Sequence, residues 1–150
     1  MRLRFNQVDE SALQLLAQKL ARGLFPGAFL ALYGDLGAGK TAFVRALAQE
    51  LGIFDVQSPT FTIVREHAGT LPLFHFDAYR LADAGELYAI GFEDYLTRAG
   101  VIAMEWCENV PEALPDELLA ISLAGSGLSP RTVTFDSRGA QYDALLEALQ

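Results

Sequence analysis

The sequence predicts an α/β fold with three layers, in which helices cover both faces of a mixed β-sheet. Three observations support this prediction. Ala28–Tyr33 is a short, almost wholly apolar run of the kind found in parallel strands buried on both faces. A glycine-rich loop joins this run to a helical pattern. Two later runs, Phe61–His67 and Leu71–Asp77, have the spacing of an antiparallel hairpin, so we expect a sheet with a parallel core and an antiparallel periphery.

The first third of the chain is predicted to contain two strands, each followed by a helix. Arg2–Gln7 is the first strand, and Asp9 is a suitable N-cap for a helix that ends at Pro26-Gly27. Apolar residues recur along this helix at helical spacing, at Leu13, Leu16, Ala17, Leu20 and Leu24. The glycine-rich loop leads into the second helix, Lys40–Leu51, which is closed by Gly52.

The rest of the chain is predicted to continue with short helices and strands. After the hairpin, Asp83–Leu96 forms one or two helices that are interrupted at Gly91, and Val101–Met104 is a buried strand. The last elements are two strands, separated by a turn rich in Gly, Ser and Pro, and a closing helix. They are predicted at Leu118–Ala124, Arg131–Asp136 and Tyr142–Leu149.

The length and composition indicate a single globular domain that spans residues 1–150. Hydrophobic residues make up 51% of the chain and charged residues 20%. We expect no membrane segment, because no apolar run is long enough to span a bilayer. Cys107 is the only cysteine. We therefore expect no disulfide, no zinc site and a location in the reducing cytoplasm.

The charge balance bears on the kind of partner that the protein can bind. The chain has 19 acidic and 11 basic residues, for a net charge of −8. Proteins that bind nucleic acid directly usually present a basic surface, because phosphate contacts supply much of the affinity. We therefore expect any role in nucleic-acid metabolism to depend on a partner protein.

The stretch YGDLGAGKTAF, residues 33–43, contains the phosphate-binding spacing G-x-x-x-x-G-K-[ST] from Gly34 to Thr41. Glycines allow successive backbone N–H groups to point at a phosphate, and the following helix directs its positive end at the anion. Lys40 is expected to neutralise the β- and γ-phosphates, and the Thr41 hydroxyl to bind Mg²⁺. A strand before the motif and a helix after it support this interpretation over a simple glycine turn.

Two carboxylates are candidates to complete a magnesium site. Asp77 follows the apolar run LFHF, and Glu105 follows VIAM. The carboxyl ends of parallel strands face the ligand in such folds, so either residue could reach the metal, or each could only mark a strand end. The residues alone do not rank the two.

Other polar and aromatic residues have plain structural interpretations. Taken alone, Ser58-Pro59-Thr60 is best interpreted as a turn, although a hydroxyl-rich segment here could respond to a γ-phosphate. His67 and His75 are interpreted as turn and strand residues, since nothing pairs with them at a metal-binding spacing. Trp106 is a packing residue on this interpretation, and Cys107 is inert.

Five blocks of sequence together resemble one known family. They are GDLGAGKT, SPTF, HFDAYRL, ELYAIGFEDYL and MEW, and they occur in the family's order from the glycine loop to Trp106. The family is TsaE, also called YjeE, the small bacterial ATPase of tRNA threonylcarbamoyladenosine biosynthesis. The resemblance implies a P-loop NTPase-like fold that uses ATP and Mg²⁺. It also implies that TsaD and TsaB are the partner proteins, and that tRNA is reached only through them.

The resemblance implies roles for residues around the phosphates. The residues that bind the nucleotide phosphates are Gly34, Asp35, Leu36, Gly37, Ala38, Gly39, Lys40, Thr41 and Ala42. Thr41 and Glu105 hold Mg²⁺, and Lys40, Asp77 and Glu105 form the catalytic set. Asp77 lies close to the metal, either behind its ligands or positioning water. Ala42 stands where the family usually has a second hydroxyl, which could weaken nucleotide affinity.

The resemblance also implies residues farther from the metal. Ser58 and Thr60 belong to a nucleotide-sensitive loop, and Trp106 shapes the site beside the metal-binding acid. Near the nucleoside, the family uses a residue at the start of the first helix, either Glu10 or Ser11, of which Ser11 is our choice. It also uses a residue of the late hairpin, for which we choose Arg131.

Three other functions are compatible with the glycine loop. A small-molecule kinase normally carries a lid with several arginines, but here the arginines are scattered and no insertion is long enough for a lid. A GTPase would need an Asn-Lys-x-Asp stretch, which is absent. A nucleotide-gated scaffold, in which hydrolysis is incidental, differs from the ATPase only in whether hydrolysis is needed for repeated cycles.

Overall fold

A seven-stranded β-sheet forms the centre of the protein in the computed structural model, which describes all residues from Met1 to Gln150. Its strands are β1 (Arg2–Val8), β2 (Phe29–Tyr33), β3 (Val64–His67), β4 (Leu73–Asp77), β5 (Val101–Glu105), β6 (Leu118–Ala124) and β7 (Arg131–Arg138). They lie in the order β1-β7-β6-β2-β5-β4-β3. The central strand β2 is parallel to β5 and β6, and β4 is parallel to β5. The outer pairs β1–β7, β6–β7 and β3–β4 are antiparallel, which confirms the predicted mixed sheet.

Five α-helices connect and cover the strands. They are α1 (Glu10–Arg22), α2 (Lys40–Glu50), α3 (Ala84–Ala89), α4 (Phe92–Thr97) and α5 (Ala140–Glu147). Two 3₁₀ turns, Cys107–Asn109 and Pro111–Ala113, follow β5. Asp9 caps α1 as predicted, because its carboxylate accepts a hydrogen bond of 2.8 Å from the Ala12 amide. No helix is long and apolar enough to cross a bilayer.

The hydrophobic core is divided by the sheet into two clusters, one on each face. The larger contains 27 buried residues and includes apolar residues of α1, α2 and α5; the smaller contains 16 and includes those of α3 and α4. Side chains of β4 alternate between them, with Leu73 in the larger cluster and Phe74 and Phe76 in the smaller. The three layers are those predicted, and the face that carries Leu73 also carries His75 and Asp77.

Several element boundaries differ from the prediction by one or two residues, and two differ by three or more. Helix α1 ends at Arg22 and is capped by Gly23, three residues before Pro26, so Leu24 lies outside it. Strand β3 begins at Val64 and not at Phe61, because Pro59–Ile63 forms a tight turn in which the Pro59 carbonyl accepts from the Ile63 amide at 2.7 Å. The interruption at Gly91 is confirmed, and Gly91 has a φ of +88° at the start of α4.

The closing helix is attached to the sheet by a buried hydrogen bond. The amide of Phe29, the first residue of β2, donates to the Tyr142 hydroxyl of α5 at 2.9 Å. Tyr142 is 3% exposed. Burial is also the largest cause that raises the pKa of this hydroxyl, which therefore stays protonated. The bond provides a partner for the Phe29 amide, which lies one residue before Leu30, where the pairing of β2 with β6 begins.

We expect Tyr142→Phe to destabilise the protein by about 1–3 kcal/mol, because the buried Phe29 amide loses its acceptor. Urea denaturation of the two proteins measures the difference. Tyr88→Phe is the matched control, since the Tyr88 hydroxyl makes only an exposed contact of 3.5 Å with the Glu112 carbonyl. Equal stability of Tyr142→Phe and Tyr88→Phe would contradict this account of the helix attachment.

Candidate functional site

The glycine-rich loop, residues 34–39, connects β2 to α2 and adopts a backbone conformation that depends on glycine. Gly34, Gly37 and Gly39 have φ values of +151°, +82° and +105°. Gly39 is the N-cap residue of α2 and makes no side-chain capping bond, and the first turn of α2 has no acidic residue. The positive end of the helix therefore faces the loop without a side-chain anion of its own, which is the arrangement that favours an external anion.

Lys40 is buried beneath the loop, with only 5% of its surface exposed. Its Nζ donates to the Gly34 carbonyl at 2.6 Å and lies 3.5 Å from the centre of the Trp106 ring. Burial is the main cause that lowers the pKa of Lys40, and the nearby carboxylates, Glu105 first, oppose this effect. The ammonium group is thus held at the loop by one carbonyl and one aromatic face.

The side chains of Thr41 and Glu105 are in contact at the edge of the sheet next to the glycine-rich loop. The Thr41 hydroxyl lies 3.0 Å from Oε2 and 3.2 Å from Oε1 of Glu105, whose side chain is almost wholly buried. The contact follows from strand pairing, because Leu32 at the end of β2 is paired with Glu105 at the end of the parallel strand β5. This pairing brings the first turn of α2 to the Glu105 carboxylate.

Asp77 lies at the end of the next parallel strand, paired with Glu105. Its Oδ1 accepts from the Tyr79 amide at 2.9 Å, and its Oδ2 accepts from the Thr60 hydroxyl at 3.2 Å. The Thr60 hydroxyl is also 3.0 Å from that of Ser58. Ser58 and Thr60 are therefore connected to Asp77, and the Ser58–Thr60 segment is more than a bare turn.

Two adjoining cavities lie along the loop. One, of about 240 Å³, is lined by Lys40, Thr41, Thr60, Asp77, Glu105 and Trp106, among others. The other, of about 270 Å³, is lined by residues of α1, the loop and the β6–β7 hairpin. Gly39 and Ala42 line both cavities, so the two are contiguous. The first cavity has Lys40, Thr41, Asp77 and Glu105 in its lining, and the second has Asp9, Glu10, Ser129 and Arg131 together with apolar residues.

The second cavity contains one of the two residues predicted near it. Arg131 lines it, and its guanidinium donates to the Ala38 carbonyl at 2.8 Å and the Gly37 carbonyl at 3.2 Å. Ser11 is exposed and does not line the cavity, whereas Glu10 does. Of the two alternatives at the start of α1, only Glu10 lines this cavity. Arg131 also supports the loop backbone, which its position in the sequence does not indicate.

The loop residues Asp35 and Leu36 are exposed, and Leu36 retains 78% of its accessible surface. The Asp35 carbonyl accepts from the Ala38 amide at 2.9 Å, so this part of the loop is ordered by its own backbone. Cys107 is buried, its thiol donates to the Met104 carbonyl at 3.1 Å, and burial raises its pKa. An inert Cys107 agrees with this environment.

His75 is the residue at this site that sequence reasoning missed. It is a strand residue, as the sequence predicts, but in addition its Nε2 lies 2.6 Å from Oε2 of Glu105, a contact that the sequence analysis does not anticipate. His75 and Asp77 are two residues apart on β4 and so share a face of the sheet. The alternation of side chains along β4 was the feature of the sequence that could have placed His75 on the same face as Asp77. His67, on the neighbouring strand, has no such contact, and its Nε2 has no hydrogen-bond partner.

A mixed sheet with a parallel core, a glycine loop between β2 and α2, and a Lys-Thr pair at the helix start define the class of this protein. It has the P-loop NTPase-like fold, in which the loop is the nucleotide-binding element. The family within that class is given by comparison with known proteins.

The chain belongs to the TsaE family. The model of the family described as "Threonylcarbamoyl adenosine biosynthesis protein TsaE" matches residues 7–133. The tRNA threonylcarbamoyladenosine biosynthesis protein TsaE of Bacillus subtilis is 40% identical over 149 residues, which cover 98% of this chain and 93% of the relative. The protein of the same name from Rickettsia conorii is 32% identical over 148 residues, 95% of this chain and 84% of the relative.

A solved structure supports the same assignment. The crystal structure of YdiB from Bacillus subtilis has a TM-score of 0.83 and 35% sequence identity, and the alignment covers 99% of this chain and 94% of that one. The resemblance based on the five sequence blocks is confirmed, as is the P-loop NTPase-like fold that it implied.

We expect Gly34→Ala to destabilise the protein more than Gly37→Ala. Both positions have positive φ, which costs a non-glycine residue about 1–3 kcal/mol. A Cβ at Gly34 would in addition lie 2.7 Å from the Leu123 carbonyl oxygen of β6, whereas a Cβ at Gly37 meets nothing within 4 Å. Thermal denaturation of both variants provides the comparison. A Gly34→Ala protein as stable as Gly37→Ala would show that the loop does not pack on β6 as described.

Proposed function

We propose that the chain is a single P-loop ATPase domain whose Mg²⁺-dependent ATP hydrolysis is required for N6-threonylcarbamoyladenosine formation in tRNAs that read ANN codons. It acts in the cytoplasm on a complex of TsaD and TsaB and allows that complex to turn over repeatedly. The main structural support is the contact between the Thr41 hydroxyl and the Glu105 carboxylate, 3.0–3.2 Å apart, beside the buried Lys40. Family membership supports the pathway.

Phosphate binding is assigned to the glycine loop and the start of α2. The residues are Gly34, Asp35, Leu36, Gly37, Ala38, Gly39, Lys40, Thr41 and Ala42. Backbone amides and the helix dipole attract the phosphate oxygens, and Lys40 supplies the full positive charge. The Gly34 carbonyl is the hydrogen-bond acceptor of Lys40 in this structure. An anionic phosphate is a stronger acceptor than a carbonyl, so we expect it to become the partner of Lys40.

The oxygens of Thr41 and Glu105 fit a magnesium ion. Neighbouring oxygens of an octahedral shell with metal–oxygen distances of 2.0–2.1 Å are about 3 Å apart, which matches the spacing between these two side chains. No cluster of three or more His, Cys, Asp or Glu side chains could hold a metal ion by itself. Mg²⁺ beside phosphates usually takes one or two protein ligands, and water and phosphate oxygens complete its shell. When bound, it would neutralise charge on the phosphates.

Asp77 is assigned to the reaction through its place next to Glu105 and its connection to Thr60. Tyr79 and Thr60 each donate to one of its oxygens, so the carboxylate has a defined orientation. We assign Asp77 to positioning water, and Ser58 and Thr60 to a loop that responds to the nucleotide through this contact. Trp106, whose ring contacts the Lys40 ammonium, shapes the same cavity.

The second cavity is assigned to the nucleoside, and Glu10 and Arg131 line it. Ser11, which is exposed and lies outside this cavity, is the weaker of the two helix-start assignments. The net charge of −8 supports contact with tRNA only by way of TsaD and TsaB, because an acidic surface repels a polyanion.

Substitutions of Lys40 and Glu105 should affect different steps. Lys40→Ala should abolish tight ATP binding, because the phosphates lose their only buried cation. Thr41→Ala and Glu105→Gln should retain part of the ATP binding but lose hydrolysis, because they remove oxygens assigned to the metal. Calorimetric titration with ATP and phosphate-release assays separate the two effects. Lys19→Ala, at the only other lysine and on the exposed side of α1, is the control. Tight ATP binding by Lys40→Ala would refute the loop assignment.

The protein should associate with TsaD–TsaB in a nucleotide-dependent way and hydrolyse ATP slowly until they are present. A pull-down with and without ATP tests the association, and a tRNA modification assay with excess tRNA tests repeated turnover. Glu105→Gln should support at most the first round of tRNA modification. Glu112→Gln, a variant at an exposed site, should behave as the protein without substitutions does. Many rounds with Glu105→Gln would show that hydrolysis is incidental and that the protein is a nucleotide-gated scaffold.

A further inference from the structure

The carboxylate of Glu105 is contacted from two separate elements. Thr41 approaches it from the first turn of α2, and His75 approaches it from the middle of β4. The His75 Nε2 lies 2.6 Å from Oε2 of Glu105, and the two side chains are 0% and 4% exposed. A carboxylate this deeply buried needs hydrogen-bond donors, and His75 supplies the closest one in the structure.

The sheet register accounts for this contact. Ala103 of β5 is paired with His75, and Glu105 is paired with Asp77, so His75 and Glu105 are diagonal neighbours on one face of adjacent strands. Phe74 and Phe76, on either side of His75, point into the core of the opposite face. The imidazole is therefore held between two fixed strands, and it reaches Glu105 without contributing to the lining of the cavity.

We propose that His75 is a positioning residue: its Nε2–H donates to Oε2 of Glu105 and fixes the carboxylate in the orientation that receives the divalent cation. This inference rests on the proposed function. In this hydrogen bond the carboxylate oxygen is the acceptor, so Nε2 carries the proton. The other ring nitrogen, Nδ1, has no hydrogen-bond partner, so no contact draws the proton to it.

The contact with His75 affects the direction in which the Glu105 carboxylate can present its oxygens to a metal ion. The hydrogen bond from His75 to Oε2 restrains the carboxylate in the orientation in which both of its oxygens lie within 3.2 Å of the Thr41 hydroxyl. Hydrogen-bond donors behind a metal-binding carboxylate typically change metal affinity or activity by about 10–100-fold when they are removed. A merely structural histidine would affect stability and leave metal affinity unchanged.

The test measures divalent-ion binding without any catalytic turnover. Mn²⁺ is titrated into the full-length protein saturated with a non-hydrolysable ATP analogue, and free Mn²⁺ is followed by its EPR signal. We expect His75→Leu to weaken Mn²⁺ binding by about 10–100-fold, and His75→Gln, which retains an N–H donor at similar reach, to restore most of the affinity. His67→Leu is the matched control, because His67 is also buried and lies on the adjacent strand but makes no contact with the carboxylate.

The outcomes separate this inference from the function on which it rests. If the unmodified protein binds no Mn²⁺ with the nucleotide, the proposed ATPase and the role of His75 both fail. If it binds Mn²⁺ and His75→Leu binds equally well, only the role of His75 fails. An equal loss of affinity in His75→Leu and His67→Leu would also overturn that role, since it would indicate a general effect of altering the sheet.

A measurement on the unmodified protein covers the case in which His75→Leu does not fold. Long-range ¹⁵N–¹H correlation NMR identifies which imidazole nitrogen of His75 carries a proton. A proton on Nε2 supports the positioning role. A ring protonated only at Nδ1 would overturn it, because Nε2 would then have no proton to donate to the carboxylate.

Discussion

The parallel pairing of β2 with β5 is the constraint on which the site depends. It places Leu32, just before the glycine loop, beside Glu105 at the end of β5. Because both strands end at the same edge of the sheet, the loop, the start of α2 and the carboxylate meet there. The pairing of β4 with β5 adds Asp77 to that edge and His75 one step behind it. A shift of either strand by one residue would turn these side chains to the opposite face.

The same edge contains most of the buried polar groups of the protein. Five polar or charged residues are buried, and Lys40, His75, Asp77 and Glu105 are four of them. Each has a hydrogen-bond partner within this group, in the loop backbone or in the adjoining turn. Removing charged groups from water is costly unless they are paired, so the surrounding apolar core makes these contacts both necessary and strong. The result is a polar cluster whose side chains are held by one another and by the adjoining backbone.

Segments with strong local signals were predicted well. The apolar run of β2, the Asp9 cap and the break at Gly91 depend on a few neighbouring residues, and all three are confirmed. The start of β3 was predicted three residues too early, because Phe61–Ile63 has strand-like composition but folds into a turn on Pro59. Local composition could not reveal that turn, in which Ile63 adopts a φ of +71° and its carbonyl accepts from the Asp77 amide.

The sequence by itself determined the glycine loop, with its Lys40 and Thr41, and the apolar strands that frame it, since these depend on spacing along the chain. It also supplied both candidate carboxylates, which the residues alone did not rank and of which the family resemblance implied Glu105 as the metal ligand. Only the tertiary structure decided that Glu105 contacts Thr41, that Asp77 contacts Thr60, that His75 lies behind Glu105 and that Arg131 supports the loop. The physical reason is that these contacts join residues 17 to 93 positions apart, and strand order and register, not local preference, bring them together.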